Sequence, residues 1–501
     1  MAELLLGVDV GTSALKGAIF DACGELLALI SRSYSISYPK PHWAEQNPMD
    51  YWRAAKGVFR QLVKESSKWS GDIAAVGVAG QTPTAILVDK HGEPLRPAII
   101  WQDARAKDEA EWLRTYVGKE NMRKFLGIDL PMEPTWPPAR LLWLRRHEAR
   151  VLRQTYKFLQ PKDFINLKLT GEFCSDHWST KGLVHLRDGT VSTEYASLLG
   201  ISPDIAPRIL RPYDIAGTVS EKSAKEIGLA KGTPVVAGWG DALCAVLATG
   251  AFGESGIGFD VTGSSEFVGV STKRVANASK LIEIPSFITG NVATLYGPTQ
   301  CGGLSLNWLR QVLSSSTKEE KDYYETLLQS ASRIPAGSEG ILFLPYLYGE
   351  RAPIWDSNAK GAFVGLKLLH SANHLMRAVM EGVAYSVRHV LETAESGAGV
   401  RCREVRITGG AAQIAIWNQI RADILGRSIQ QIKTTESGAL GAAMLAAVGA
   451  GMVSNLRYAS DRMVRFAKLF EPDESASRAY DALFPLYKRL YPSLRKILHS
   501  L

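Results

Sequence analysis

The chain has 501 residues, 46% of them hydrophobic and 22% charged, with a net charge of +8 and a pI near 9.0. That is more than one hydrophobic core usually organises, so two or more domains of an ordinary globular protein are expected. Its five cysteines, Cys23, Cys174, Cys244, Cys301 and Cys402, are scattered without a Cys-x-x-Cys pair, which argues against a disulfide framework or a zinc ribbon and for a reducing, cytoplasmic setting.

The amino terminus carries no basic leader and reaches Asp9 after a short apolar run, so Leu4 to Val10 reads as a buried strand and not a signal peptide. A tight turn, Gly11-Thr12-Ser13, leads to a second strand over 15–20 and a third over 25–34. A helix is expected near 50–65, then strands over 73–79 and 84–88, and mainly helices from about 105 to 170. Within that region Arg140, Arg145, Arg146, Arg150 and Arg153 alternate with Leu141, Leu142, Leu144 and Val151. With no nucleic-acid module beside it, this reads as a solvated basic helix packed by its leucines, and no nucleic-acid partner is expected.

The strand Thr233 to Gly238 feeds Trp239-Gly240-Asp241 and a helical pattern. A second hairpin follows near 256–271, where Asp260-Val261-Thr262-Gly263-Ser264-Ser265 repeats the strand–glycine turn–strand plan of the first. Each turn offers backbone N–H groups and hydroxyls of the kind that cradle phosphate oxygens, and the pair points to an ATP site. The domain boundary is placed near 250, giving domains 1–250 and 251–501. The second half predicts helices near 303–313, 371–396, 413–425 and 437–450, with a strand over 404–408. Ser437 to Val453 is uncharged but rich in Gly and Ala; it reads as a buried helix and not a membrane span.

Several blocks in order carry a family resemblance: Asp9 to Lys16, His42 to Trp52, Gly80 to Asp89, Ile99 to Arg105, Gly238 to Ala242, Thr262 to Phe267 and Gly409 to Ala412. Gly361 to Leu366, then seven residues, then His374 to Glu381 is the most specific of them. Together they resemble the FGGY carbohydrate kinases, of xylulokinase-like type, over essentially the whole chain. Pro137 to Leu144 is similar to the family's amino-terminal signature, with Arg140 where lysine is usual. The resemblance implies an α/β fold of two actin-like ATPase (ribonuclease H-like) domains around a central cleft. It also implies ATP and Mg2+ as cofactors, a sugar or polyol as substrate, no membrane partner and a possible homodimer.

Phosphoryl transfer to an alcohol needs a base, groups to hold the phosphates and metal, and exclusion of water. Asp241, after Gly238 and Gly240 at a strand end, suits the base; the same position suits a helix N-cap, and the resemblance favours the base. Asp9 is the expected Mg2+-side carboxylate, acting directly or through metal-bound waters. Gly11, Thr12, Ser13 and Lys16 in the first turn, and Gly263, Ser264 and Ser265 in the second, are expected to meet phosphate. Gly409, Gly410 and Ala411 leave room for adenosine, although a plain strand–turn–helix connection fits the local pattern equally well. Gly303 and Asn307 are carried over as nucleotide-binding positions, with helix packing as the alternative.

Gln81, Thr82, Trp101, Asp103 and Arg105 lie on two loops after apolar strands and are expected to bind the acceptor. Trp101 offers an apolar face for C–H surfaces, though a core tryptophan beside a salt-bridged Asp103 fits as well. Typical xylulokinases carry Met-His after the glutamine; this chain has Thr82-Pro83, which removes an imidazole. The acceptor therefore stays open among ketoses, polyols and sugar acids. His370 and His374 have metal-binding spacing but no third ligand, and Arg351 is expected to pair with Glu350 or Asp356. A nucleotide-dependent clamp on the same fold is the alternative from a different functional class.

Overall fold

The computed structural model describes residues 3–66, 72–130, 132–278, 280–313 and 320–501. Met1 and Ala2 of the expected amino-terminal strand region lie outside them. The chain forms two compact units: Met1–Ala248 with Glu436–Met463, and Thr249–Thr435 with Val464–Leu501. The sequence boundary near 250 marks the first crossing. It assigns everything afterwards to one domain, whereas Glu436–Met463 returns to the first unit.

The first unit is built on a mixed sheet of β1 (Leu4–Val10), β2 (Ala14–Phe20), β3 (Leu26–Ser33), β4 (Ile73–Gly80), β5 (Ile215–Thr218), β6 (Pro234–Val236) and β7 (Trp239–Gly240). Its order is β5-β6-β4-β1-β2-β3, with β7 also pairing with β4. β1 runs antiparallel to β2, with Val10 opposite Leu15, and parallel to β4, with Val10 opposite Gly80. Val8, Val10, Val76 and Val78 are buried with Phe59 and Leu62 of the helix Pro48–Ser66 in one core. The strands are consequently near-continuous apolar runs, as expected for a sheet covered on both faces.

The second unit repeats this plan with β8 (Ile257–Thr262), β9 (Glu266–Thr272), β10 (Ile282–Ile284), β11 (Ala293–Pro298), β12 (Glu404–Gly409), β13 (Ser428–Ile432) and β14 (Phe466–Phe470). The order is β10-β11-β9-β8-β12-β13-β14. β8 pairs antiparallel with β9 and parallel with β12, as β1 does with β2 and β4. In both units a meander of antiparallel strands meets a parallel strand at the sheet centre, and the outer strand on the far side returns antiparallel.

The Gly/Ala-rich segment forms the helix Ser437–Gly449, buried along most of its length against the first sheet. Small residues are required there because a Cβ on Gly7 or Gly77 would lie 1.9 Å from the carbonyl oxygen of Ala439 or Ala442. The basic segment departs from expectation at one position. Arg145, Arg146, Arg150 and Arg153 are exposed, but Arg140 is wholly buried, donating to Pro83 O at 3.1 Å, Ile99 O at 2.9 Å and Ile100 O at 2.5 Å. It clamps the two loops that carry Thr82 and Trp101. Among the described residues, no helix is long and apolar enough to cross a membrane.

Candidate active site

Three neighbouring parallel strands of the first sheet, β1, β4 and β7, end at the same edge. Their carboxyl ends deliver Asp9 with the Gly11 turn, Gln81 and Asp241, the location where open α/β sheets present ligand-binding groups. Gln81 N donates to Val10 O at 2.9 Å, and β7 pairs Gly240 with Gly80. The first turn closes with Gly11 N donating to Ala14 O at 3.0 Å, and the Tyr34 hydroxyl donates to Gly11 O. Gln46 Nε2 donates to Thr12 O at 2.7 Å, and Trp101 Nε1 donates to the Thr12 hydroxyl at 2.8 Å. Gln81 Nε2 donates to Gln46 Oε1 at 2.9 Å, while Gln81 Oε1 is buried without a partner.

Asp241 opens the helix Asp241–Ala248, half-buried, its Oδ1 accepting from Ala242 N at 2.7 Å. Burial first, then the Asp9 carboxylate, pushes its carboxyl up to about 7; Lys181 pulls in the opposite direction. Asp9 is pushed up to about 6 by burial, with Lys16 opposing and Glu436 reinforcing the shift. Burial beside another carboxylate disfavours ionisation of Asp241, the usual way a fold tunes a base toward neutral pH.

Asp9, Thr12, Gln81, Thr82, Trp101 and Asp241 are thus brought to one edge of the first unit. Other expected site residues are placed differently. Lys16 Nζ pairs with Glu436 at 2.8 Å. Asp103 is sealed, its oxygens accepting from Ala44 N at 2.6 Å and from Arg105 Nε at 2.9 and 3.0 Å. The Arg105 side chain is itself buried, bonded to Glu45 at 2.7 Å and lying 3.7 Å from the Trp43 ring. Both therefore brace the loop behind Trp101, with Nη1 of Arg105 buried without a hydrogen-bond partner. Ser13 is exposed at the turn.

In the second unit, Gly263 N donates to Ser265 O at 2.9 Å, closing the other turn with Gly263 and Ser264 exposed. The helix Gly303–Leu313 starts against it: Gly303 N donates to Gly263 O at 2.9 Å and Gly302 N to Ser264 O at 2.8 Å. Asn307 is exposed one turn further along. At the end of β12, Gly409 adopts φ +102, where a Cβ would meet Thr262 O at 2.0 Å, so only glycine fits between the neighbouring strand ends. Gly410 faces open space, and Ala412 N donates to the Thr262 hydroxyl at 3.0 Å. Ala411 is buried beside them. Gly263, Ser264, Gly303, Gly409, Gly410 and Ala411 therefore gather around the ends of β8 and β12.

Sequence reading passed over the supports of both turns. Glu436, Gln46 and Tyr34 hold the first. Buried Glu266, paired with Arg421 at 2.9 Å, underlies the second. Glu266 and Asp260 are both raised by burial, with Arg421 opposing the shift. His374 Nδ1 caps its helix by accepting from Ser371 N at 3.1 Å, and His370 Nδ1 accepts from Lys367 N at 2.9 Å. No cluster of three or more His, Cys, Asp or Glu able to hold a metal occurs among the described residues.

Residues 4–248 match the model of the amino-terminal domain of the FGGY family of carbohydrate kinases, and residues 260–450 match that of its carboxy-terminal domain. The chain belongs to this family. This kinase is 30% identical to a xylulose kinase of Bacillus subtilis (strain 168), the match covering 98% of this chain and 97% of that one. Two solved structures from Lactobacillus acidophilus, a gluconate kinase and a ligand-bound xylulose kinase, are each 28% identical with a TM-score of 0.88. The former match covers 99% of this chain and 98% of the other; the latter covers 98% of both. The kinase thus has the two-domain, actin-like ATPase fold of its family and is an ATP-dependent phosphotransferase acting on a carbohydrate.

Proposed function

We propose that this kinase phosphorylates a hydroxyl of an open-chain polyhydroxy acceptor, a xylulose-like ketose or a sugar acid, with Asp241 as general base. The observation that carries this reading is the placement of Asp241 and Asp9 at the ends of the two strands that flank β4, where burial first and the Asp9 carboxylate second raise the Asp241 carboxyl to about 7. A base poised there takes a proton readily at neutral pH. Asp241 accepts the hydroxyl proton as the acceptor oxygen bonds to the γ-phosphorus. The bond from that phosphorus to the β–γ bridging oxygen breaks, and ADP leaves. Gln81 Oε1, Thr82 and Trp101 orient the acceptor, and the turns at Gly11–Ser13 and Gly263–Ser265 serve the phosphates. Gly303, Asn307 and Gly409–Ala411 serve the nucleoside.

The donor set at Asp9 fits a hard cation, since its Oδ1 is buried without a hydrogen-bond partner and Mg2+ takes oxygen ligands. Asp9 would hold the ion, which when bound supplies charge neutralisation for the phosphates. Gly438 tests this assignment: a Cβ there would lie 2.4 Å from Asp9 Oδ2, so Gly438→Ala must displace the carboxylate. The Mg2+ concentration for half-maximal rate is expected to rise about tenfold, the usual scale for disturbing a ligand's support, with acceptor KM close to the parent value. An unchanged Mg2+ requirement would remove Asp9 from the metal.

Screening ketoses, polyols and sugar acids for ADP release, with mass detection of the product, tests the function. Near-silence without acceptor and stoichiometric phosphorylated product with one are expected. ATP turnover that ignores every acceptor and yields no such product would favour the clamp.

A further inference from the structure

We infer that Gln46 is a positioning residue that sets the polarity of the acceptor site. It turns the Gln81 amide so that a carbonyl oxygen is left for the acceptor, and the site thereby selects a hydroxyl that donates its hydrogen over a carbonyl or carboxylate oxygen. This rests on the reading of Gln81 as an acceptor-binding residue. Gln46 stands in the block His42 to Trp52, on the short strand Glu45–Gln46. It lies opposite Ala98 of the strand Ala98–Ile99, which leads to Trp101, and just before the helix Pro48–Ser66, which carries Tyr51.

The hydrogen bonds through Gln46 run in one direction. Thr12 O can only accept, and Gln46 Nε2 donates to it at 2.7 Å while lying 3.5 Å from a second carbonyl oxygen, Ser35 O. Turning that amide over would set its oxygen against both carbonyls, so Gln46 Oε1 points the other way. There it accepts from the Tyr51 hydroxyl at 2.7 Å and from Gln81 Nε2 at 2.9 Å. Gln81 Nε2 also donates to the Tyr51 hydroxyl, at 3.4 Å. Both hydrogens of the Gln81 amide are therefore spent inside the protein. Gln46, Tyr51 and Gln81 are all buried, and Gln81 Oε1 is left without a partner. A buried carbonyl oxygen left unpaired is costly, and a ligand that brings a donor relieves it.

Trp101 obeys the same constraint. The one donor of its indole, Nε1, is spent on the Thr12 hydroxyl at 2.8 Å, so the ring offers the acceptor apolar surface and no N–H. On this side the acceptor meets a carbonyl oxygen and a flat ring, and it must bring the hydrogen itself. A ketone or carboxylate oxygen placed there would face Gln81 Oε1 lone pair to lone pair, whereas a hydroxyl completes the bonding of both groups. A site built to pair with a hydroxyl in this way rejects an analogue that lacks it, because its own buried polar atom is then stranded.

Steady-state constants for ATP and for D-xylulose, D-gluconate or ribitol as acceptor test this in the parent, Gln46→Met, Gln46→Glu, Gln81→Met and the double variant Gln46→Met/Gln81→Met. Gln81→Met is expected to raise acceptor KM about tenfold, the scale of one hydrogen bond and the group it leaves unpaired, without moving the KM for ATP. Gln46→Met is expected to match that rise, because the released Gln81 amide can turn over, and the double variant is expected to add nothing to it. Gln46→Glu keeps an oxygen for Tyr51 and Gln81 but turns another toward Thr12 O, so it raises the KM for ATP and leaves that for acceptor near the parent value. One monodeoxy derivative of the best acceptor is expected to be about tenfold poorer than the intact compound in the parent and equal to it in Gln81→Met. Acceptor effects of Gln46→Met and Gln81→Met that add in the double variant would assign Gln46 to the fold and overturn the positioning role, with Asp241 as base untouched. So would a Gln46→Glu variant as poor in acceptor KM as Gln46→Met; should Gln46→Glu fail to fold, the double-variant cycle decides alone. Absence of any hydroxyl with the monodeoxy pattern overturns the selection. No phosphorylated product from any of the three acceptors would sink the underlying reading as well.

Discussion

Asp241→Asn is expected to lower kcat by about 10² to 10⁴, the range for loss of a general base, while ATP affinity and fold persist. Asn keeps the shape of the side chain and an oxygen able to accept from Ala242 N, but cannot take a proton. The parent pH–rate profile is expected to rise with pH through about 7, where the Asp241 carboxyl ionises. Loss of that limb in the variant would tie the ionisation to this residue. The stability effect runs the other way. The folded-state value stands above the ordinary 3.8, so the residue's contribution to stability is complete below about 3.8 and lost as pH rises through about 7. Removing the charge therefore holds or raises the melting temperature at pH 8. A variant that loses ATP affinity and thermal stability together with turnover would make Asp241 a structural residue.

Lys162→Met is expected to cost about 3–5 kcal/mol, because it strands two buried carboxylates, Asp163 and Asp176, without their counter-ion. Burial pulls the Lys162 ammonium down, but the two acids overcome it and hold the group above its usual range. Its stabilising contribution is thus complete below its ordinary value of 10.5 and lost only in stronger alkali. Since the chain has two compact units, the measurement is local: hydrogen exchange of peptides spanning 157–181 and 233–248 is expected to accelerate, with the second unit unchanged. Retained protection would show that the ion triad contributes little. Replacing Lys162 and Asp176 together by apolar residues of similar size is expected to recover part of the loss, since no lone charge then remains buried.

Local signals made much of the architecture legible. The two glycine turns, the helices at Ala372–Ala398, Ala415–Leu425 and Ser437–Gly449 and the strand Glu404–Gly409 follow from apolar periodicity and punctuation that act within a few residues. The return of Glu436–Met463 to the first unit was not legible, because it depends on which distant surface admits a Gly/Ala helix, and Gly7 and Gly77 lie hundreds of residues from it. Arg140 reads locally as one basic residue among several, yet it is buried because three carbonyls from two remote loops converge on it.

The order of motifs along the chain was enough to establish the family, its two-domain α/β plan and the residue types at each strand end, since these rest on local chemistry. Only the folded arrangement decided that Asp103 and Arg105 are sealed against each other, that Lys16 is paired with Glu436, and that a buried, unpaired Ser179 hydroxyl stands by Gly240, the residue before Asp241. Solvent exclusion and charge pairing are properties of distances between segments far apart in the chain, and no local pattern encodes them.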